Sequence, residues 1–287
     1  MIEKKRRSTL NCDENPFLWR MNTDGPETYE RYIVSTWMAD WAPDLIRAGG
    51  VGPGKRVLDA ACGTGIVARK AAALVGPGGR IAGLDFNPGM LRVARKCAGQ
   101  EGLTAIEWLH GDISYMPFSP GEFDTVLCQQ GLQFFPDKSG ALREMKRVLT
   151  PSGRLAIAVW GRAEKSPHVP VICDVFREFF GEESTAMFKV ACSLSDKRVL
   201  QSLVEDAGFS GIHIRSGVKI ARHPSLSEFL PAYFSAFPVA AQIGAMREEE
   251  RTRMFRCIAA GLEDYTENGG FAVPTENITL TAENRSP

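Results

Sequence analysis

This chain of 287 residues has no excess of charge: 34 Lys and Arg balance 34 Asp and Glu. A neutral protein exerts no long-range field on phosphate backbones or anionic lipid, so nucleic acid is excluded as an expected partner and a small molecule is favoured. No apolar run reaches the roughly 20 residues that cross a bilayer, which excludes stable membrane insertion. The cluster Lys4-Lys5-Arg6-Arg7 is not followed by an apolar h-region and reads as a solvated tail on an unprocessed chain. The seven cysteines (12, 62, 97, 128, 173, 192 and 257) are odd in number and contain no Cys-x-x-Cys, which excludes a disulfide framework and a zinc site. No metal is expected, and reduced thiols point to a cytoplasmic protein. Internal repeats and low-complexity segments are also missing.

Apolar periodicity supplies the organisation. Residues 1–24 carry Asn-Pro and Asp-Gly breaks without periodicity, and a flexible tail is expected there. Between 27 and 48 an aromatic stripe (Tyr29, Tyr32, Trp37, Trp41) recurs near helical spacing and is interrupted by Pro43, which predicts two helices meeting at a bend. The stripe is packing first; its functional reading is a lid spanning 25–52. From 53 to 224, apolar runs at 56–60, 80–85, 104–109, 123–129 and 153–160 alternate with helical patterns at 66–75, 88–99 and 139–149. This alternation predicts an α/β architecture with a doubly wound, mostly parallel sheet. Helices then follow near 167–181 and 196–207, with a short strand at 211–216. A helical insertion at 225–266 precedes a final strand within 267–287, and that insertion is the expected substrate cap.

The strand-to-helix turn Val57-Leu58-Asp59-Ala60-Ala61-Cys62-Gly63-Thr64-Gly65 is the most informative segment. Its glycines let backbone approach a ligand too closely for any Cβ, and the helix that follows presents free N–H groups. Asp59 discriminates among ligands, since a carboxylate at the strand end repels a pyrophosphate but suits an ammonium and a sulfonium. Asp85 closes the second run, twenty positions after Gly65, where it can accept two ribose hydroxyls. Phe86 and Met90 follow as groups for an adenine face or for ordinary helix-start packing. Gly111-Asp112-Ile113 follows the third run, where the acid can accept an exocyclic amine while the next N–H donates to a ring nitrogen. Gln129 and Gln130 end the fourth run as polar side chains in an apolar stretch that demands partners for them.

In this order VLDAACGTG, GLDFNPGML, HGDISYMPF, FDTVLCQQGLQFFPD and LREMKRVLTPSGRLAIAVW resemble the class I S-adenosylmethionine-dependent methyltransferases, in their small-molecule branch of ubiquinone/menaquinone-biosynthesis type. The resemblance runs from about 27 to 160. It implies a Rossmann-like seven-stranded sheet with S-adenosyl-L-methionine as cofactor and S-adenosyl-L-homocysteine as product. It places Asp59, Ala60, Gly63, Thr64 and Gly65 at the methionine end, Asp85 at the ribose, Asp112 and Ile113 at the adenine, and Gln129 near the methionine moiety. The acceptor stays open, because the substrate-selecting segments of the family do not transfer.

Methyl transfer from a sulfonium is an in-line displacement that needs alignment and exclusion of water. A general base is required only for a protonated acceptor, and the candidates are His110, His168, His223, Tyr29, Tyr32 and Tyr233, each individually more often structural. A homodimer is compatible with the sequence. Two other readings compete. Gly63-x-Gly65-x-x-Ala68 with Asp85 fits an NAD(P)-dependent oxidoreductase, which Asp59 and the lack of any Tyr-x-x-x-Lys pair oppose. A non-catalytic cofactor-binding partner subunit is the third.

Overall fold

Strands and helices alternate through the first two thirds of the molecule, where the apolar runs predicted them. The computed structural model describes residues 25–285 apart from Pro238, so the tail expected at 1–24 lies outside the described residues. A helical stretch opens with α1 (Gly25–Thr28), continues as a π-helical segment Tyr29–Met38 and ends as α2 (Ala39–Ala48). Then follow β1 (Arg56–Ala60), α3 (Ile66–Val75), β2 (Arg80–Asp85), α4 (Pro88–Gln100), β3 (Ile106–His110), β4 (Phe123–Gln129), α5 (Lys138–Val148) and β5 (Leu149–Trp160). The remainder is α6 (His168–Phe180), α7 (Ala186–Ala191), α8 (Lys197–Asp206), β6 (Ser210–His223), α9 (Leu226–Ser235), α10 (Ala240–Gly244), α11 (Glu248–Gly261), β7 (Thr266–Glu267) and β8 (Gly270–Glu283). Among the described residues no helix is long and apolar enough to cross a membrane.

The sheet order is β3-β2-β1-β4-β5-β8-β6, with the two-residue β7 paired to β8. β1 to β5 are parallel, and β8 runs antiparallel between β5 and β6. The chain winds outward from β1 to β3 and then returns to lay β4 beside β1. The carboxyl ends of β1 and β4 therefore form the topological switch where α/β sheets hold ligands.

Period-2 alternation divides the sheet residues between two layers. Leu58, Ala60, Val126, Cys128, Leu155 and Ile157 pack with α5 and α8 on one face. Val57, Ile81, Leu127, Ala156 and Ala158 pack with α2 and α3 on the other. Local chemistry sets the helix starts: Asn87 accepts from Gly89 N and Met90 N ahead of Pro88, Asp137 accepts from Gly140 N, and Asp196 from Arg198 N. A third cluster joins the π-helical segment to α6, α9 and α11 through Ile33, Trp37, Phe176, Phe229, Phe234 and Met254. Arg69, 5% exposed, pairs with Glu30 of the π-helical segment and with Glu101 after α4. That triad ties the N-terminal helix to the sheet layer.

Several boundaries differ from the sequence expectation. The N-terminal helix is continuous through Pro43, and its change of register falls at Met38/Ala39. Proline lacks one N–H, and the wider turn just before α2 already interrupts the regular ladder there. β6 extends to His223 and β8 from Gly270 to Glu283 because each pairs with the other over most of its length, a long-range gain that the polar residues of β6 do not advertise.

Candidate functional site

A cavity of about 510 Å³ opens at the carboxyl ends of β1, β2 and β4. At the first strand its wall is Ala61 and Gly63, at the second Asp85, Phe86 and Met90, at the third Gly111, Asp112 and Ile113, and at the fourth Gln129, Gln130 and Gly131. The structure brings together in one wall most of the residues that the sequence pattern had collected.

Backbone conformation shapes this wall. Gly63 has φ +55°, and a Cβ built there would meet nothing within 4 Å, so the loop leaves free space in front of its backbone. Gly65 has φ +83°, but a Cβ there would overlap the Trp108 ring. The second glycine thus serves packing between the loop and β3, and it does not line the cavity. Ala61 (φ +58°) and Gln130 (φ +56°) are both left-handed without being glycine, and both line the cavity. Such conformations cost roughly 1–2 kcal/mol each and persist where surrounding structure holds them, commonly at sites of function.

The carboxylates divide by environment. Asp85 accepts from Gly63 N through Oδ2 and from Asn87 N through Oδ1, both at 2.8 Å, while still opening on the cavity. Burial nevertheless raises its pKa, against the lowering effect of these backbone bonds. Asp112 takes the Ser114 N–H at 2.8 Å and faces the cavity from the β3 exit. Asp59 does not line it. It shares the sheet face of Val57, is 1% exposed, and accepts from Ala68 N at 2.9 Å in the first turn of α3. Burial pushes its pKa up to about 7, and the Asp85 charge adds to the rise. Ala60 and Thr64 are likewise buried away from the cavity, Ala60 because strand alternation turns it to the α5 and α8 layer.

Among the candidate bases, His168, Tyr29 and Tyr233 line the cavity. His110 is exposed with Nε2 2.8 Å from the Phe86 carbonyl, Tyr32 packs beside His223, and His223 Nδ1 lies 3.0 Å from the Ser225 carbonyl; none of these three lines the cavity. Burial pushes His168 down to about 4, so its imidazole is uncharged at neutral pH, and raises both cavity tyrosines far above the usual phenol value.

The other half of the cavity includes residues that the sequence did not single out individually as site residues. Trp37 and Met38 come from the π-helical segment, Phe134 and Phe135 from the β4 exit, Trp160 from the end of β5, Phe188 from α7, and Phe237 follows α9. The aromatic stripe at 29–41 was the available signal for Trp37. Phe237 falls in the insertion at 225–266 expected as a cap, whereas Phe188 carries no such signal and is brought here by chain packing. Among the described residues no Lys or Arg lines the cavity; its carboxylates are Asp85, Asp112 and Asp137, and aromatic side chains make up much of the rest of the wall.

Residues 58–157 match a protein-family profile described as a methyltransferase domain. The chain is 32% identical over 200 residues to a ubiquinone/menaquinone biosynthesis C-methyltransferase from Ectopseudomonas mendocina, a match spanning 64% of this chain and 77% of that protein. It is also 32% identical over 205 residues to a demethylmenaquinone methyltransferase from Listeria welshimeri, covering 64% of this chain and 83% of the relative. In fold it is similar to Haemonchus contortus phosphoethanolamine N-methyltransferase 2 bound to phosphomonomethylethanolamine and S-adenosylhomocysteine, with a TM-score of 0.58, 18% identity, and coverage of 92% and 58% of the two chains. The YcgJ protein of Bacillus subtilis aligns with a TM-score of 0.57 at 17% identity, over 86% of this chain and 99% of that one.

Proposed function

Since the chain belongs to the S-adenosylmethionine-dependent methyltransferases, we propose that it methylates an uncharged, largely apolar small molecule held at the aromatic end of the cavity. The observation that carries this reading is the polarity of that one cavity. Acid and backbone groups gather at the strand ends, and the rest of the wall is largely aromatic, with no Lys or Arg among the described residues that line it. An acceptor bearing a phosphate, like the one named for the Haemonchus enzyme, would find no Lys or Arg among the described lining residues to receive it. A neutral ring of the quinone type, as in the names of the two relatives, suits the wall.

The residues present fit the cofactor. Asp85 accepts the Gly63 N–H on Oδ2 and the Asn87 N–H on Oδ1 and still opens on the cavity, where its carboxylate can accept from a ribose hydroxyl. Asp112 and the Ile113 N–H are assigned to the adenine edge, with Phe86 and Met90 against its faces. The open space before Gly63 is assigned to the methionine moiety, and the unpartnered buried amide atoms Gln129 Oε1 and Gln130 Nε2 supply hydrogen-bonding capacity at the same end. Asp59 acts at one remove: by accepting from Ala68 N it holds the start of α3 and with it the loop. When bound, S-adenosylmethionine supplies an electrophilic methyl group on a sulfonium. The chain's own part is to align the nucleophile behind that carbon and keep water out.

Exclusion of water is assigned to the segment 25–52 as a lid and to the insertion 225–266 as a cap, which provide Trp37, Tyr233 and Phe237. Both cavity tyrosines stay protonated at neutral pH and serve as hydrogen-bond donors.

Two measurements test the reading. S-adenosylhomocysteine, and not NADH, should raise the unfolding temperature, since a ligand at 100 times its dissociation constant adds about 2.7 kcal/mol. Labelled methyl groups should then pass to reduced naphthoquinone-type acceptors and not to phosphobases; transfer only to phosphobases overturns the acceptor assignment.

A further inference from the structure

Two rings on the cavity wall have hydrogen-bonding capacity that the protein leaves unused. Among the described residues, Trp37 buries its indole N–H without an acceptor and His168 buries its Nδ1 without a partner. The rings stack with centroids 5.5 Å apart and planes 20° apart. Phe229 and Tyr233 press edge-on against Trp37 at 5.3 Å and 5.1 Å, which holds the stack in place. Ile33, Phe188 and Phe237, which line the same cavity, are apolar. An indole N–H and an imidazole nitrogen buried side by side without partners leave hydrogen-bonding capacity for a ligand in the cavity that both line.

We propose that the Trp37–His168 stack selects the methyl acceptor by reading a hydroxyl on a planar aromatic ring, which donates to the imidazole while the indole N–H donates to an oxygen of the same ring system. This rests on the methyltransferase reading of the cavity. The uncharged state of His168 suits the assignment, because an imidazolium carries no lone pair to accept with. Burial and stacking make both groups preorganised, so little side-chain freedom is lost on binding. Trp37 stands on the segment assigned as a lid and His168 begins α6, so the pair is complete only when these two elements meet.

The test uses the full chain saturated with S-adenosylhomocysteine and two probes, 1,4-naphthalenediol kept reduced and 1,4-dimethoxynaphthalene, which has no hydroxyl to donate. Calorimetry should show the diol bound at least tenfold more tightly by the wild type. His168→Phe should bring the two probes within about twofold of each other, with unchanged affinity for dimethoxynaphthalene and for S-adenosylhomocysteine. His168→Gln, whose amide oxygen still accepts, should restore part of the preference, and Trp37→Phe should lower it. A tenfold preference that survives in folded His168→Phe, or in both His168→Gln and Trp37→Phe where His168→Phe fails to fold, overturns the proposal. A wild type that binds S-adenosylhomocysteine but shows no preference overturns it too. Failure of the wild type to bind S-adenosylhomocysteine strikes the methyltransferase reading itself.

Discussion

Gln129 Nε2 donates to the carbonyl oxygen of Met38 at 2.9 Å, joining residues 91 positions apart in the sequence. The bond ties the end of β4 to the last residue of the π-helical segment, next to Trp37 on the cavity wall. A side-chain hydrogen bond of this kind contributes about 1 kcal/mol net. Gln129→Leu should therefore loosen the segment without unfolding the sheet. In hydrogen exchange, amides of 29–38 should exchange faster in the variant than in the wild type, and S-adenosylhomocysteine should slow wild-type exchange there. Equal exchange with and without ligand would remove the lid assignment.

The two loop glycines should fail differently. Gly65→Ala combines a left-handed conformation with overlap onto Trp108, and overpacking of this kind costs typically 1–3 kcal/mol. Its main effect should be a lower denaturant midpoint. A Cβ at Gly63 meets no described atom, so Gly63→Val is strained by the left-handed φ of +55° and also intrudes on the free space before the loop; it should bind S-adenosylhomocysteine at least tenfold more weakly than its loss of stability would explain. Denaturation and calorimetry on the same samples separate the two, and the assignment fails if Gly63→Val unfolds outright.

Asp85→Ala removes the acceptor assigned to the ribose hydroxyls. Hydrogen bonds to a charged group contribute about 1.5–3 kcal/mol, so affinity for S-adenosylhomocysteine should fall by at least tenfold. Unchanged affinity in a folded variant would remove the ribose assignment. The same substitution frees the Gly63 and Asn87 N–H groups, so some loss of thermal stability is expected alongside.

Asp59 predicts the direction of a pH effect. Its carboxyl sits at 3.8 in an ordinary environment and is raised by burial to about 7 in the folded chain. Between those values the folded state holds a proton that the unfolded state has lost, so stability falls as pH rises from about 4 towards 7. At 1.36 kcal/mol per unit this contribution is at most roughly 4 kcal/mol. Asp59→Asn keeps an oxygen for the Ala68 N–H and loses the titration, so its stability should decline less between pH 5 and pH 8. Parallel urea titrations of the two proteins at pH 5, 6, 7 and 8 measure this; identical slopes would show that Asp59 ionises freely in the folded state.

Much of the strand-end chemistry was legible in the chain because it depends on neighbours in sequence. Alternating apolar runs predicted β1 to β5, and the spacing of Asp85, Asp112 and Gln129 after those runs placed them on one edge, where the structure has them lining one cavity. The tertiary structure decided between residues that the motif treated alike. Gly63 meets open space while Gly65 meets Trp108, and Asp85 opens on the cavity while Asp59 turns under α3. Spacing alone cannot separate such pairs, because the difference lies in what a partner strand or helix presents to each side chain. The aromatic half of the cavity was legible only as segments, the stripe at 29–41 and the insertion at 225–266, and not as the set of residues that line it. Trp37, His168 and Tyr233 come from elements separated by more than a hundred positions in places, and they meet because Trp37 packs its ring against each of the other two. Local propensity and motif chemistry are carried by adjacent residues and can be read from the sequence; enclosure, desolvation and the pKa values they impose arise only when distant surfaces exclude water together.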